Sequence, residues 1–183
     1  VLMPVSALPS RVGAGELGES AFHFIELLKK NHVRIWQILP LNPVGYGNSP
    51  YQPYSSCAGD DIYISLDTLA EEGLLKKSPM LFLEKCKKVD YERVRQYREP
   101  YLRAAFMAFV EQKGYEKPEY KEFAAQSWVY EYGVFRALKK ANNGACWNEW
   151  PEEDRTWPEN RHVLDTEAEA EARYQMFLQY IFY

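Results

Sequence analysis

The chain has 183 residues, enough for one domain with a sizeable core or for a piece of a larger fold. Its 22 lysines and arginines stand against 26 aspartates and glutamates, so the formal charge of −4 gives no attraction to nucleic acid. Charged residues interrupt every apolar run well before the roughly 20 residues that span a bilayer. We therefore predict neither a nucleic-acid partner nor a membrane-spanning helix.

The cysteines point to a reducing compartment. Cys57, Cys86 and Cys146 are odd in number and form no CxxC pair, which argues against both a disulfide framework and a zinc site. The first four residues also lack the basic head of a secretory signal. These features predict a cytoplasmic protein with reduced thiols and no metal centre.

The first 41 residues predict a strand, a helix and a second strand. Apolar runs at 2–5 and 35–39 are continuous rather than alternating, which is typical of parallel strands covered on both faces. Between them, Ser20 is expected to cap a helix whose apolar positions recur at helical spacing and which ends near Asn31. This βαβ pattern indicates an α/β fold, with Trp36 filling part of its core.

A long loop follows at residues 42–59. Loops of this length are usually functional or disordered, and its three tyrosines disfavour disorder. Glycines and prolines bound the Ser49-Pro50-Tyr51 step, so a hydroxyl and a ring are presented on a restricted backbone. The alternative is that these residues only shape the loop.

The rest of the chain predicts mainly helices. Residues 61–66 alternate like a short strand, and a helical turn is expected over 69–75. Helices then run from 79 to 143, with breaks at Pro100 and at 114–118, before a connector at 142–161 that is rich in tryptophan and proline. Thr166 and Glu169 form a capping-box pattern for a last helix. Its apolar stripe has no stop signal, so we expect a chain cut within a helix.

Three stretches together resemble the amylomaltase family of bacterial 4-α-glucanotransferases, glycoside hydrolase family 77 of the α-amylase clan. They are MPVSALPS at 3–10, WQILPLNP at 36–43 with YGNSPYQ at 46–52, and the segment 128–138 with Trp147 and Trp150-Pro151. The family usually has Gly where Asn42 stands and often Asp at Asn48. It has Asn-Pro where this chain has Asp60-Asp61.

The resemblance implies the N-terminal part of a (β/α)8 TIM barrel with a large helical insertion. Residues 1–78 would hold the first barrel units and a cleft loop, residues 79–165 the insertion and its connector, and residues 166–183 a truncated helix leading back to the barrel. It implies transfer of α-1,4-glucan segments between maltooligosaccharides by a retaining double displacement, without cofactor.

The family's site residues transfer to three positions of this chain. Ser49 and Tyr51 match residues that contact donor glucose, and Tyr46 matches a tyrosine at a secondary glucan site. The family's catalytic acids lie on later barrel strands, so we expect no catalytic residue in this chain.

Several alternatives stay open at this point. The acids at 60–61 and 152–154 are expected to be solvated or capping groups, because neighbouring carboxyls rarely face one bond. Trp147, Trp150 and Trp157 are either a sugar platform or packing residues. The function could also be that of an α-glucan hydrolase of the same clan, a non-catalytic glucan-binding module or a helical interaction protein.

Overall fold

The computed structural model describes residues 1–76 and 88–183, with the side chain of Tyr46 left out of the description. The described residues are mostly helical and contain no extended strand. Their helices are α1 Glu19–Lys30, α2 Leu66–Glu71, α3 Tyr91–Glu111, α4 Pro118–Ala124, α5 Ser127–Ala141, α6 Glu152–Arg155, α7 Trp157–Asn160 and α8 Thr166–Phe182.

The chain divides into two compact units. The first comprises Val1–Lys113 with Phe182, and the second comprises Gly114–Ile181 with Tyr183. The predicted boundary at 78/79 lies outside the described residues, as does the start of the predicted helical region at Pro79. The three-segment division made from the sequence therefore stays a prediction.

In the first unit, the two predicted strands meet as a single parallel bridge. Leu2 pairs with Gln37, the Gln37 N–H donates to the Val1 carbonyl at 2.8 Å, and the Met3 N–H donates to the Gln37 carbonyl at 3.0 Å. The parallel direction agrees with the βαβ pattern. The predicted extent is wrong, because Val5–Ala7 form a 3-10 turn.

The two-sided cover expected for this pair is also absent among the described residues. Leu2 is 59% exposed and Ile35 is 73% exposed. On the covered side, Trp36 packs as predicted, against a cluster of Val5, Leu8 and Ala21. Its indole N–H donates to the Met3 carbonyl at 2.8 Å. A strand lengthens when neighbouring strands hydrogen-bond to its backbone N–H and C=O groups. Among the described residues, each of these two segments has the other as its one such neighbour.

Helix α1 begins earlier than predicted. Its N-cap is Gly18 rather than Ser20, and the first helical residue is Glu19. A Cβ at Gly18 would lie 2.5 Å from Ser65 Oγ, so only glycine lets the chain approach Ser65 this closely.

The predicted strand at 61–66 is wrong. Asp61–Tyr63 form a 3-10 turn, and α2 starts at Leu66. The carboxylate of Asp60 accepts the Ile62 N–H at 3.1 Å, and the hydroxyl of Ser65 accepts the Thr68 N–H at 3.2 Å. Such caps satisfy the first amides of helical turns and compete with strand pairing.

Helix α3 runs through Pro100, where a break was predicted. The proline removes one N–H donor and its ring disfavours the helix. Burial of Val94, Leu102 and Phe109 along one face offsets this cost. The Asp90 carboxylate caps the helix by accepting the Arg93 N–H at 3.1 Å. The second predicted break is found, since a 3-10 turn at Gly114–Glu116 precedes α4.

A buried arginine ties α3 to the segments that precede it. Arg98 is 1% exposed, and its guanidinium donates to Glu16 Oε2 at 2.8 Å and to the Ile64 carbonyl. Glu16 Oε1 also accepts the Ser65 hydroxyl at 3.2 Å. The Arg98–Glu16 pair thereby holds the segment around Glu16, which precedes α1, and the start of α2 to one point on α3.

The second unit has an aromatic and aliphatic core. Residues of α5, the connector and α8 form it: Val134, Ala137, Leu138, Trp150, Trp157, Ala168 and Ala172. Asp165 caps α8 by accepting the Ala168 N–H at 2.7 Å, whereas the capping-box pattern had placed the cap one residue later, at Thr166.

Candidate functional site

The loop at 42–59 is an ordered hairpin. Val44 pairs with Pro53 in an antiparallel bridge. The Gly45 N–H donates to the Gln52 carbonyl at 3.3 Å, and the Tyr54 N–H donates to the Pro43 carbonyl at 2.9 Å. These bonds join the two arms, so the loop has a shape of its own.

The tip of the loop, residues 46–52, contains two consecutive residues with positive φ. Gly47 has φ +76° and Asn48 has φ +52°, values that glycine and asparagine tolerate best. The chain then turns again, because the Gln52 N–H donates to the Ser49 carbonyl at 3.1 Å. Pro50 occupies the second position of this turn, where its fixed φ is favourable.

The turn presents the two residues singled out from the sequence. Tyr51 is 72% exposed, and Ser49 is half-buried. Neither lies in the hydrophobic core. Tyr46 begins the 3-10 turn Tyr46–Asn48, and its side chain is outside the described part of the chain. The tip therefore brings a hydroxyl and an accessible ring onto one short turn, which suits a ligand with polar and apolar faces.

The base of the loop is closed by backbone and side-chain bonds. The Asp60 N–H donates to the Leu41 carbonyl at 2.8 Å. The Asn42 side-chain amide donates to the Ala58 carbonyl at 2.9 Å. Both ends of the loop are thus held together at one place.

Arg95 of α3 forms ion pairs with the two acids at the base of the loop. Its two terminal nitrogens donate to the two Asp60 carboxylate oxygens at 2.7 and 2.6 Å, and one of them also reaches Asp61 at 2.9 Å. Asp60 is 2% exposed and caps the turn Asp61–Tyr63, so of the two predicted roles, solvated or capping, it has the capping one.

The charge of Asp60 survives its burial. Burial raises the pKa of the Asp60 carboxyl, but hydrogen bonds and the charge of Arg95 outweigh it and hold that pKa below the ordinary value. Nearby, burial and then the negative charge of Asp60 raise the pKa of Tyr63 to about 12. Asp60 is therefore a structural anion, with its carboxylate already occupied by the Arg95 fork and the Ile62 amide.

The connector tryptophans belong mainly to packing. The Trp150 indole donates to the Ala145 carbonyl at 3.0 Å, and the Trp157 indole donates to the His162 carbonyl at 3.1 Å. Both rings are buried, whereas Trp147 is 59% exposed at a cavity of about 330 Å³ that Trp150 and Trp157 also line. Packing thus accounts for two of the three rings.

Sequence reasoning missed Arg95 and Arg98. Arg98 carried a usable signal, since it interrupts the buried stripe of Val94, Leu102, Ala105 and Phe109. A charged residue on such a stripe requires a partner. Arg95 carried none, because it lies 35 positions from Asp60.

Across residues 1–76 and 88–183, no group of histidine, cysteine, aspartate and glutamate is arranged to hold a metal ion. Within the same ranges, no helix combines the length and apolar character required to cross a membrane.

Comparison with known proteins gives the family. A family model described as 4-alpha-glucanotransferase matches residues 3–183. A 4-alpha-glucanotransferase of Synechocystis is 39% identical over 99% of this chain and 37% of its own length. Those of Streptococcus pneumoniae and Thermus thermophilus are 38% and 36% identical, over 84% and 100% of this chain.

A solved structure is similar throughout the chain. It is an amylomaltase from Streptococcus agalactiae in complex with acarbose, with 27% sequence identity and a TM-score of 0.85 over 100% of this chain and 38% of that one. The chain thus spans between about 31% and 38% of the length of the relatives named above. On the family match over residues 3–183, the chain belongs to the 4-alpha-glucanotransferase family.

Proposed function

We propose that the chain supplies part of the substrate cleft of a 4-α-glucanotransferase. The reaction would move α-1,4-glucan segments from one maltooligosaccharide to another, or to glucose. The observation that carries this assignment is the loop tip, where Tyr51 is 72% exposed on a turn that also presents Ser49. Family membership makes a glucan the natural ligand for that tip.

The roles proposed for the tip residues are those of the family residues they match, and the chemistry of Tyr51 and Ser49 supports them. The Tyr51 ring would stack on the apolar face of a donor glucose, and its hydroxyl would bond to the sugar edge. The Ser49 hydroxyl can both donate and accept a hydrogen bond, as a sugar hydroxyl requires. Tyr46, at the start of the same tip, would contact glucan at a secondary site.

We place these loops on a (β/α)8 barrel. The parallel Leu2–Gln37 pairing supports this, as does the likeness to the amylomaltase structure. In such barrels, loops after the strands build the active site, and residues 42–59 follow the second paired segment. Residues 1–78 would contribute the first barrel units, residues 79–165 an insertion, and residues 166–183 a helix returning to the barrel. We also propose a cytoplasmic location.

The chemical step would be a retaining double displacement. One carboxylate attacks the anomeric carbon while a carboxylic acid protonates the departing oxygen, and a sugar hydroxyl then reverses the first step. We assign neither acid to this chain and require no cofactor. The chain's own part is to bind and orient the donor, which can supply much of the rate.

The test is the product pattern from maltotriose with a full-length protein that contains this chain. Transfer predicts glucose together with oligomers longer than maltotriose. Glucose and maltose without longer products would indicate a hydrolase. Binding of maltooligosaccharides without any turnover would indicate a non-catalytic module.

A further inference from the structure

The anchoring of the loop base has the geometry of a positioning device. The Arg95 fork meets Asp60 through two parallel hydrogen bonds, of 2.7 and 2.6 Å. The Asp60 side chain is 3% exposed and that of Arg95 is 30% exposed. A bidentate pair fixes direction as well as distance, which a lysine cannot reproduce.

Asp60 connects this fork to both ends of the loop. Its own backbone N–H donates to the carbonyl of Leu41, the residue before the loop, at 2.8 Å. Its carboxylate caps the turn that follows the loop by accepting the Ile62 N–H at 3.1 Å. A displacement of Asp60 would therefore move the entry and the exit of the loop together.

The hairpin would follow such a displacement as one body. Its arms are joined by the Gly45–Gln52 and Tyr54–Pro43 bonds, which do not involve the base. A tilt at the base is thus passed to the tip. Misplacement of a binding group by about 1 Å can cost on the order of a hundredfold in rate.

We propose that Arg95, acting through Asp60, is a positioning residue for glucan binding, because it sets where Ser49 and Tyr51 stand in the cleft. The inference rests on the proposed function and adds to it a residue that the family match does not assign. Arg95 itself does not need to touch sugar.

The test uses the full-length protein with Arg95→Gln, Arg95→Lys and Asp60→Asn variants. kcat and KM for maltotriose, and the Kd of acarbose, are measured well below the Tm of each variant. We expect Arg95→Gln to weaken acarbose binding and lower kcat/KM by about tenfold, mainly through KM. Arg95→Lys keeps the charge but loses the fork, so its effect should be intermediate.

Arg103→Gln is the matched control. It removes the same charge from the same helix, where Arg103 pairs with Glu99 at 2.7 Å, and it should leave KM unchanged. The Asp60→Asn/Arg95→Gln double variant should lose no more than the worse single variant, because both act through one pair.

The outcomes separate this inference from the proposed function. A wild-type protein that does not disproportionate maltotriose would contradict the function before any variant is made. With an active wild type, a folded Arg95→Gln protein with unchanged KM and acarbose affinity would overturn the positioning role. Additive losses in the double variant would also contradict it.

Discussion

The first compact unit fixes its loops with ion pairs, whereas the second unit is centred on buried rings. In the first, Arg95 and Arg98 hold the acids of separate segments. In the second, Tyr174 and Phe177 are both fully buried. Directional bonds set the orientation of a loop, while apolar burial stabilises without choosing a direction. The loop that carries the candidate site is therefore held by interactions that specify geometry.

The first unit also exposes several large apolar side chains. Leu2, Phe22 and Ile35 of the first unit are 59%, 68% and 73% exposed. The first unit thus combines the loop at 42–59, which is anchored at its base, with exposed apolar side chains elsewhere in the unit.

The largest expected effect tests whether the 183-residue chain is active by itself. The isolated 183-residue chain should show no turnover of maltotriose. Retaining transfer needs two carboxyl groups about 5 Å apart on either side of one bond. The two apolar runs at 2–5 and 35–39 carry no acid. Glucose and longer oligomers would be followed by chromatography, and turnover comparable to a full-length protein would show that the catalytic acids are misassigned.

A core substitution in the second unit should cost the most stability. Leu178 of α8 is 1% exposed. Leu178→Ala would leave a cavity and lower the free energy of unfolding by about 2–5 kcal/mol. Val163, which is 94% exposed, provides the control. Val163→Ala should change that free energy by less than about 0.5 kcal/mol. Urea denaturation of the full-length protein measures both, and equal effects would contradict the burial pattern.

Removing the exposed ring at the loop tip should affect activity and spare stability. Tyr51→Ala is expected to lower kcat/KM on maltotriose by about tenfold or more, because it removes both the stacking face and the hydroxyl. Tyr51→Phe separates the two, since it keeps the ring.

Tyr115 is a matched control in the second unit. It is also an exposed tyrosine, at 46%, but lies outside the loop. Tyr115→Ala should leave kcat/KM unchanged. If Tyr51→Ala leaves it unchanged as well, Tyr51 only shapes the loop.

What the sequence could predict depended on how local the signal was. Gly47, Pro50 and Pro53 marked the loop, because each restricts or frees its own backbone. The strands were predicted too long, since pairing depends on distant neighbours. The Arg95–Asp60 bond spans 35 positions and left no pattern to read. The tip was thus visible in the sequence and its anchor was not.

The last expected effect concerns that anchor and its dependence on pH. Asp60→Asn keeps a cap for the Ile62 amide but removes the charge that faces Arg95 and lies beside Asp61. At neutral pH, the substitution should lower the free energy of unfolding by about 1.5–3 kcal/mol, the usual range for a hydrogen bond to a charged group. Thermal unfolding of wild type and variant across a pH series gives the difference.

The sign of the pH dependence follows from the lowered pKa of Asp60. The folded state holds this carboxyl ionised at pH values where the unfolded chain would protonate it. The carboxylate therefore contributes stability above the ordinary value of 3.8, and this contribution is lost as pH falls through the lower folded pKa. The difference in free energy of unfolding between wild type and Asp60→Asn should accordingly be constant near neutrality and close in acid.

Asp67→Asn is the control, because the Asp67–Arg11 pair has side chains that are 33% and 51% exposed. Exposed pairs contribute about 0–1 kcal/mol and weaken with salt, so added salt should reduce the Asp67 effect more than the Asp60 effect. An Asp60 gap that widened in acid would mean that the carboxyl is destabilising when charged, and the ion pair could not then be what holds the loop base.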